Sequence, residues 1–146
     1  MVKNTALAPH SPAVAVGQST HPHRDYLARS DGVVYAGTHV LIDFWEASFL
    51  DDMAVVERAL REAVSACEAT LLHIHLHEFS DNGGISGVAV LAESHISVHT
   101  WPELRYAAFD VFMCGDCDPR RAVPVLRRTF APQREEVAEQ KRGILG

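Results

Sequence analysis

The sequence predicts an α+β fold, a two-layer sandwich in which one antiparallel sheet carries helices on one face. Short segments rich in β-branched and aromatic residues outnumber the helical segments and occur with them in the order β-α-β-β-β-α. The length of 146 residues suffices for one hydrophobic core and is too short for two. A small two-layer unit leaves the second face of its sheet in need of a cover, which suggests a homodimer.

Composition narrows the class of protein. Hydrophobic residues make up 47% and charged residues 22% of the chain, which is typical of a globular domain and excludes wholesale disorder. The net charge of -6 makes a nucleic-acid partner unexpected. No apolar run approaches the roughly 18 residues of a membrane-spanning helix. The odd count of 3 cysteines fits a reducing compartment, so we expect a cytoplasmic protein without a membrane partner.

The first 28 residues differ from the rest of the chain. They contain Pro9, Pro12 and Pro22 and show no lasting hydrophobic periodicity. This composition predicts a flexible tail at 1–28 and a folded domain at 29–146. The tail also holds histidines, which we interpret as solvated side chains rather than metal ligands: His10, His21 and His23.

The first predicted strand and helix are adjacent in the chain. Thr38–Trp45 is rich in β-branched and aromatic residues and predicts a strand. Asp51 and Asp52 are candidate helix caps. Met53–Glu68 then predicts an amphipathic helix, with charges on one face and apolar residues on the other. The apolar positions are Val56, Leu60, Ala63, Val64 and Cys67.

The next segment alternates with period two. Thr70–Phe79 predicts a strand with leucine and isoleucine on one face and histidine on the other. The apolar set is Leu72, Ile74 and Leu76, and the polar set is His73, His75 and His77. Residues 80–84 form a predicted turn.

The second half of the domain continues the sheet and ends with a second helix. Two further stretches predict strands. The first consists of Ser86–Leu91 and Ser94–Val98, interrupted near Ala92 and Glu93, and the second is Tyr106–Met113. Asp118 and Pro119 open a predicted helix that runs to about Phe130, although Pro124 within it is unfavourable. A short extended segment is expected from Pro132 onward.

Two groups of potential metal ligands stand out. The histidines at positions 73, 75 and 77 point the same way on a strand, at a spacing of about 7 Å. Cys114 and Cys117 form a C-x-x-C pair. Together they offer a zinc site, which defines one alternative function, a non-catalytic zinc-binding module. A redox role of the cysteine pair is a second alternative. A polar sheet face remains the favoured interpretation of the histidines.

Residues 92–103 concentrate reactive side chains. They include Ser94 and His99, which suggest a hydrolase nucleophile and base. The sequence lacks the G-x-S-x-G elbow, and no orienting acid can be assigned. On spacing alone, a polar strand edge is the simpler interpretation.

The same stretch resembles the processing segment of the prokaryotic S-adenosylmethionine decarboxylase proenzymes, the small pyruvoyl-dependent class. The similarity rests on Gly84-Ile85-Ser86-Gly87 and the run Glu93-Ser94-His95-Ile96-Ser97-Val98-His99-Thr100-Trp101-Pro102-Glu103. It continues through residues 106–116, includes the Gly37-Thr38-His39 segment and reaches residue 143. The resemblance therefore covers about residues 35–143 and leaves out the tail.

The resemblance implies an enzyme that makes its own cofactor. The peptide bond between Glu93 and Ser94 is expected to be cut, giving a β chain of residues 1–93 and an α chain of residues 94–146. Ser94 would become a pyruvoyl group that forms a Schiff base with the substrate amine. No metal is implied, and the histidine row is expected to lie on a sheet face or at an interface.

Roles for individual residues follow from the same resemblance. Ser86 matches a serine that supports processing, and His99 matches the base that removes the α-proton of Ser94. Cys114 matches the proton donor of the decarboxylation, which leaves Cys117 without an assigned role. The active sites are expected at the subunit interface of a homodimer of processed protomers.

The implied reaction is decarboxylation of S-adenosylmethionine to the aminopropyl donor of spermidine biosynthesis, a polyamine pathway. Glu103 matches a carboxylate that contacts the ribose hydroxyls, Phe79 matches an aromatic residue stacked on adenine, and Trp101 is a further candidate substrate contact. The loop after Phe79 lacks the family's proline and is one residue longer. An arginine or ornithine decarboxylase on the same scaffold is therefore an alternative.

Overall fold

The computed structural model describes residues 26–145. It contains seven strands and two α-helices within this range. In chain order they are β1 (Ala28–Ser30), β2 (Val33–Trp45), α1 (Met53–Ala66), β3 (Leu71–Glu78), β4 (Ile85–Leu91), β5 (Ser94–Trp101), β6 (Tyr106–Cys114), α2 (Ala122–Phe130) and β7 (Arg134–Leu145). Short 3-10 turns lie at Pro102–Leu104 and Pro119–Arg121.

The strands form one antiparallel sheet. Its main order is β7-β2-β6-β5-β4-β3, and β1 pairs with the first three residues of β2. Strand β2 pairs with β6 over Gly37–Trp45 and with β7 over Val34–Trp45, so it is central. The predicted antiparallel sheet is confirmed.

Both helices cover the same face of the sheet. Apolar side chains of α1, α2 and the inward-facing strand positions form one buried core, with Phe44, Phe109 and Phe130 among its largest members. Helix α1 begins as expected, because the Asp52 carboxylate accepts a hydrogen bond from the Val55 amide at 3.1 Å. The predicted α+β sandwich is therefore confirmed.

Pro124 is accommodated by the position at which α2 begins. The helix starts at Ala122, after the 3-10 turn, so Pro124 lies in its first turn. Amide groups in the first turn have no partner within the helix, and a proline there costs no hydrogen bond.

The ends of the domain hold more strand than the sequence predicted. The first long strand begins at Val33 rather than Thr38, and the expected short extended end is the 12-residue strand β7. Residues 1–25 of the predicted tail, including its three histidines, lie outside the described residues. Ala28, the last residue of that predicted tail, is already the first residue of β1.

One predicted alternation is broken by a bulge in β3. The register shifts between Leu71 and His73, so that two residues of β3 oppose one of β4. As a result Leu71 packs against the core with Ile74 and Leu76, while Leu72 is 64% exposed. The prediction that Leu72 shares the apolar face was wrong for this reason.

The face of the sheet away from the helices is polar and aromatic. It carries His39 and Asp43 of β2, Tyr106 and Asp110 of β6, and His99 of β5, in half-buried or exposed positions. None of the helices between residues 26 and 145 is long and apolar enough to cross a membrane. The candidate site residues lie on this helix-free face or at its edge.

Candidate active site

A strained hairpin joins β4 to β5. Leu91 pairs with Ser94, so Ala92 and Glu93 are the two loop residues. Glu93 has φ of 63°, a left-handed conformation that favours glycine, whereas Ala92 is outside that region. These φ signs match a type II turn, which fits the twist of paired strands poorly. Backbone strain is therefore held at the residue preceding Ser94.

The β1–β2 hairpin of the same chain shows the relaxed alternative. Its two loop residues are Asp31 and Gly32, and both have positive φ, at 53° and 75°. This is the pattern of a type I′ turn, for which Asp-Gly is a preferred pair. The comparison identifies the β4–β5 hairpin as the unusual one.

Ser94 is held by the adjacent strand β6. Its Oγ accepts a hydrogen bond from the Cys114 amide at 3.1 Å. Burial raises the pKa of the Cys114 thiol, and the nearby Glu93 carboxylate raises it further, while a hydrogen bond with the Ser94 side chain acts in the opposite direction. We call Glu93, Ser94 and Cys114 the processing cluster.

A cleft borders the processing cluster on the helix-free face. It is lined by Glu93, Ser94, His39, His95 and Arg142, among others. Burial lowers the pKa of His95, and the neighbouring His39 adds to this effect. The cleft therefore brings two imidazoles and a guanidinium group next to the peptide bond between Glu93 and Ser94.

A hydrogen-bonded chain fixes the histidine of β2 in this cleft. His39 Nε2 lies 2.9 Å from Asp110 Oδ1, and the other carboxylate oxygen of Asp110 accepts from the Ser97 hydroxyl at 3.4 Å. The Nδ1 atom of His39 lies 3.5 Å from an Arg142 nitrogen. A ring that donates from Nε2 to Asp110 can accept at Nδ1 from Arg142, which assigns the tautomer.

A second cluster lies at the opposite end of β4 and β5. Ser86 Oγ is 3.0 Å from His99 Nδ1, and Ser86 pairs with His99 across the two strands. Phe79 and Trp101 line the same cleft of about 380 Å³. With Glu103, these residues form what we call the substrate cluster.

The loop before β4 joins Glu103 to this cleft. Asn82, which lines the cleft, donates a hydrogen bond to a Glu103 carboxylate oxygen at 3.0 Å. The Phe79 amide donates a hydrogen bond to the Gly84 carbonyl at 2.8 Å, which closes the loop between them. Phe79 lies at the rim of the cleft, with its ring against His77.

Trp101 packs against a tyrosine of the neighbouring strand β6. Its ring stacks on Tyr106 with centroids 5.2 Å apart, and the Tyr106 hydroxyl is hydrogen-bonded to Asp43. The pKa of Tyr106 is raised to about 12, mainly by burial and then by Asp43. Sequence reasoning did not assign Asn82, Tyr106 or Asp43 to the site, since only tertiary contacts link them to it.

The two clusters do not meet within one chain. Ser94 and His99 are five residues apart on the same extended strand, a separation of about 17 Å. Within one chain these two residues therefore do not form the nucleophile–base pair of a hydrolase. Ser86 is likewise hydrogen-bonded to His99 and not to Ser94.

The alternative zinc module finds no geometric support. The histidine row lies on β3, and Cys114 lies on β6, with β5 and β4 between them. Among residues 26–145, no three histidine, cysteine or acidic side chains are grouped as metal ligands would be. The proposed set of two cysteines and two histidines is not assembled.

The processing cluster fits a pyruvoyl group made from Ser94. A group at the first residue of β5 stays anchored after cleavage, because His95 pairs with both Val90 of β4 and Phe112 of β6. The Cys114 thiol lies next to that position. A strained hairpin ahead of a serine, beside a thiol whose pKa is raised, is compatible with the self-processing pyruvoyl class that the sequence resemblance implies.

Comparisons with known proteins narrow this class. A family model described as S-adenosylmethionine decarboxylase matches residues 38–143. The S-adenosylmethionine decarboxylase proenzyme of Thermomicrobium roseum is 47% identical over 110 residues, which cover 75% of this chain and 95% of the relative. The proenzyme of Methanococcus vannielii is 50% identical over 112 residues, covering 75% and 91%.

A solved structure supports the same family assignment. The crystal structure of the adenosylmethionine decarboxylase from Aquifex aeolicus superposes with a TM-score of 0.68 at 31% identity, covering 77% of this chain and 94% of that one. This chain belongs to the S-adenosylmethionine decarboxylase family. Members of this family are carboxy-lyases that arise from proenzymes and use a self-generated pyruvoyl group. The predicted fold, family and cofactor are confirmed.

Proposed function

We propose that this protein cuts itself between Glu93 and Ser94 and then, as paired chains 1–93 and 94–146, decarboxylates S-adenosylmethionine. The observation that carries the proposal is the Ser94 hydroxyl held by the Cys114 amide at the end of a strained hairpin. The product would be decarboxylated S-adenosylmethionine, an aminopropyl donor for spermidine synthesis.

Processing begins with an acyl shift between two neighbouring residues, Glu93 and Ser94. The Ser94 hydroxyl attacks the Glu93 carbonyl carbon, the amide nitrogen leaves, and an ester replaces the amide. The left-handed conformation of Glu93 raises the free energy of the precursor. Release of this strain as the bond rearranges therefore lowers the free-energy barrier of the step. Loss of the Ser94 α-proton to a base then eliminates the Glu93 carboxylate and opens the ester. Hydrolysis of the resulting dehydroalanine releases ammonia and leaves the pyruvoyl group.

The base for that proton comes from a second copy of the chain. His99 is the matched base, and within one chain it lies about 17 Å from Ser94 along β5. A two-fold axis through the helix-free sheet face would bring the processing cluster of one copy against the substrate cluster of the other. Exposed Leu41 and Val90 on that face are apolar surface for such an interface. We therefore infer a homodimer with two composite sites.

Turnover uses the same composite site. When present, the pyruvoyl group supplies a carbonyl electron sink for loss of carbon dioxide. Cys114 then donates a proton to the product carbon, and its raised pKa keeps this thiol protonated at neutral pH. Ser86 orients His99 by the hydrogen bond between them.

The substrate cluster fits a cationic nucleoside. Its cleft contains Asp81 and borders Glu103, which favour the positive charge of a sulfonium group and offer acceptors for ribose hydroxyls. Phe79 and Trp101 supply aromatic surfaces for an adenine ring. Arginine and ornithine have the charge and the amino-acid head group and lack the ring.

Complementation between two inactive variants tests the composite site. Ser94→Ala and His99→Ala chains are co-expressed, with a tag only on the His99→Ala chain. In a mixed dimer the intact Ser94 of the tagged chain faces the intact His99 of the other, so we expect the tagged chain to be cut at residue 93. Each variant expressed alone should stay whole by denaturing mass spectrometry.

The matched control combines two variants of the same cluster. Ser86→Ala co-expressed with His99→Ala should give no more cleavage of the tagged His99→Ala chain than either alone, because both chains lack a complete substrate cluster. Absence of rescue in the first pair, with mixed dimers present, would contradict the composite site. Processed wild-type enzyme is then assayed with S-adenosylmethionine, arginine and ornithine, and turnover of either amino acid in preference would contradict the proposed substrate.

A further inference from the structure

The turn after β6 holds two cysteines, of which the proposed mechanism uses one. Cys114 is the last residue of β6, and Cys117 follows after Gly115 and Asp116. Both cysteines line one cleft, which Leu27 and Glu68 also border. This cleft opens the Cys114 end of the processing cluster to small molecules.

The backbone geometry suits a disulfide between these cysteines. Gly115 and Asp116 are the two central residues of a turn, which brings the first and fourth Cα atoms within about 7 Å. Disulfides span Cα separations of about 4.4–6.8 Å. Gly115 has φ of 62°, and a glycine at this position lets the turn adjust without side-chain strain.

The side chains are close enough to influence one another. The charge of a Cys117 thiolate is among the causes that raise the pKa of Cys114. Cys117 Sγ lies 3.6 Å from the Glu68 carbonyl oxygen, and the side chain is partly buried against the core. Rotation of both side chains about their Cα–Cβ bonds is the movement that a bond between the sulfurs requires.

The third cysteine is a poor competitor for an oxidant. Cys67 is 1% exposed in the core, and burial raises its pKa to about 12. A thiol that solvent does not reach reacts slowly with dissolved disulfides. Cys114 and Cys117 are each partly exposed.

We propose that Cys114 and Cys117 form a reversible disulfide that removes the proton donor and so switches off turnover. The effect on turnover rests on the proposed role of Cys114; the disulfide itself does not. The oxidant is a low-molecular-weight disulfide such as oxidised glutathione. One cysteine thiolate displaces a first thiol from it, and the other cysteine displaces the second, so two protein thiols and one disulfide give one protein disulfide and two thiols.

Peptide mapping of the processed enzyme tests the bond directly. The enzyme is equilibrated with mixtures of oxidised and reduced glutathione, quenched in acid, alkylated and digested with trypsin. The peptide Tyr106–Arg120 contains both cysteines and should appear unalkylated and two hydrogens lighter. Turnover should fall in parallel, by about 10²-fold or more at full oxidation, the range for loss of a general acid, and should return with dithiothreitol.

Variants separate the disulfide from other oxidations. Cys117→Ala should have wild-type basal turnover, and its half-inactivation should need at least about tenfold more oxidised glutathione, since the second, intramolecular exchange is lost. Cys67→Ala is the matched control and should respond as wild type does. Equal sensitivity of wild type and Cys117→Ala, or a cross-link between Tyr106–Arg120 and the Cys67 peptide, would overturn the proposal.

The two parts of the proposal fail in different ways. Full alkylation of both cysteines, at glutathione ratios that inactivate the enzyme, would refute the disulfide. An oxidised Tyr106–Arg120 peptide with unchanged turnover would refute the switch, and it would also contradict Cys114 as proton donor. Normal cleavage at Glu93 with no turnover under reducing conditions would instead contradict the proposed function.

Discussion

The Ser94 side-chain oxygen and the Cys114 amide nitrogen lie 3.1 Å apart, joining the start of β5 to the end of β6. This contact orients the proposed processing nucleophile toward the strand that carries the proposed proton donor. It belongs to the uncut chain, because the Ser94 oxygen leaves with the Glu93 carboxylate; after the cut, the pairing of His95 with Val90 and Phe112 keeps the start of β5 in place.

Removal of the Ser94 hydroxyl should abolish processing. Ser94→Ala leaves no nucleophile for the Glu93 carbonyl, so denaturing mass spectrometry should show only the intact 16.1 kDa chain. Wild type should give fragments 1–93 and 94–146. Ser97→Ala is the control, because it removes a hydroxyl from the same strand, one that is hydrogen-bonded to Asp110. Cleavage of Ser94→Ala at the wild-type rate would contradict the assignment of the cut.

Relief of the strain at Glu93 should slow processing. Glu93→Gly stabilises the left-handed conformation by about 1 kcal/mol, so less strain energy is released when the peptide bond rearranges. The rate of fragment formation should fall several-fold, and the melting temperature should rise when the change is made in Ser94→Ala. Ala131→Gly relaxes another left-handed residue, with φ of 44°, at the end of α2 and away from both clusters. Equal slowing by both glycines would argue against a local effect.

Cys114 should be needed for turnover and not for cleavage. Cys114→Ala should be cut normally and lose roughly 10²–10⁴-fold in kcat, the usual range for a general acid. In wild type the thiol must be protonated, so kcat should hold at neutral pH and fall as pH rises through a pKa above 9.0.

The alkaline limb of the kcat–pH profile, where activity falls as pH rises, also tests the electrostatic effect of Glu93 on Cys114. This carboxylate raises the pKa of Cys114, so Glu93→Gln in processed enzyme should move the limb to lower pH. Glu57→Gln, a change on α1 where the carboxylate pairs with Arg61, should leave it in place. A shift of the limb to higher pH in Glu93→Gln would contradict the electrostatic assignment.

Glu103 should affect substrate affinity more than processing. A hydrogen bond to a carboxylate contributes about 1.5–3 kcal/mol, so Glu103→Gln should raise KM for S-adenosylmethionine by roughly 10–100-fold. Asn82→Ala frees the Glu103 carboxylate from its 3.0 Å contact and should raise KM by less. Steady-state kinetics on fully processed protein separates the two parameters. A fall in kcat alone would place Glu103 outside the binding cleft.

The buried thiol of Cys67 should make the fold sensitive to alkali. Its pKa is raised from 9.0 to about 12, chiefly by burial and next by Asp118, so the native state keeps a proton that the unfolded chain releases. Stability is therefore unaffected below pH 9 and declines between pH 9 and 12, by up to about 1.4 kcal/mol per pH unit. Tyr106, with its pKa raised to about 12, adds a loss of the same sign.

Urea unfolding under reducing conditions, at several pH values, measures this slope. Cys67→Ala should show a shallower decline than wild type above pH 9, whatever its stability at pH 7. Parallel slopes in the two proteins would show that the thiol does not titrate differently on folding.

The polar edge strands were the hardest part of the fold to predict. Strand β7 is rich in charged residues, as befits a sheet edge that must avoid further pairing, so it lacks the apolar alternation that identifies a strand. Strand β1 follows a proline-rich segment, and its one strong cue, the Asp31-Gly32 pair, was overlooked as a hairpin turn. The apolar face of α1 was predictable because Val56, Leu60 and Ala63 recur at helical spacing and are buried.

The site residues stay a prediction from family resemblance, and their arrangement in space could be described only from the structure. Family resemblance pointed to Ser94, His99 and Cys114 by number. The separation of Ser94 from His99 follows from five residues of extended strand. The contact of His99 with Ser86 is visible only in the structure, because the two residues lie on different strands. Asn82 reaches Glu103 across 21 positions of sequence, a contact that depends on how the loops fold.

The strand order has a consequence for the two fragments. Strands β2, β4 and β3 belong to residues 1–93, and β5, β6 and β7 to residues 94–146, so the sheet order β7-β2-β6-β5-β4-β3 interleaves the two pieces. Three strand pairings, β7 with β2, β2 with β6, and β5 with β4, would each span the cut. Neither piece can leave without unravelling the sheet. The proposed cut needs the β4–β5 hairpin that holds Glu93 and the β5–β6 pairing that places Cys114 beside Ser94. The cofactor should therefore form only in chains whose three central strands have already paired.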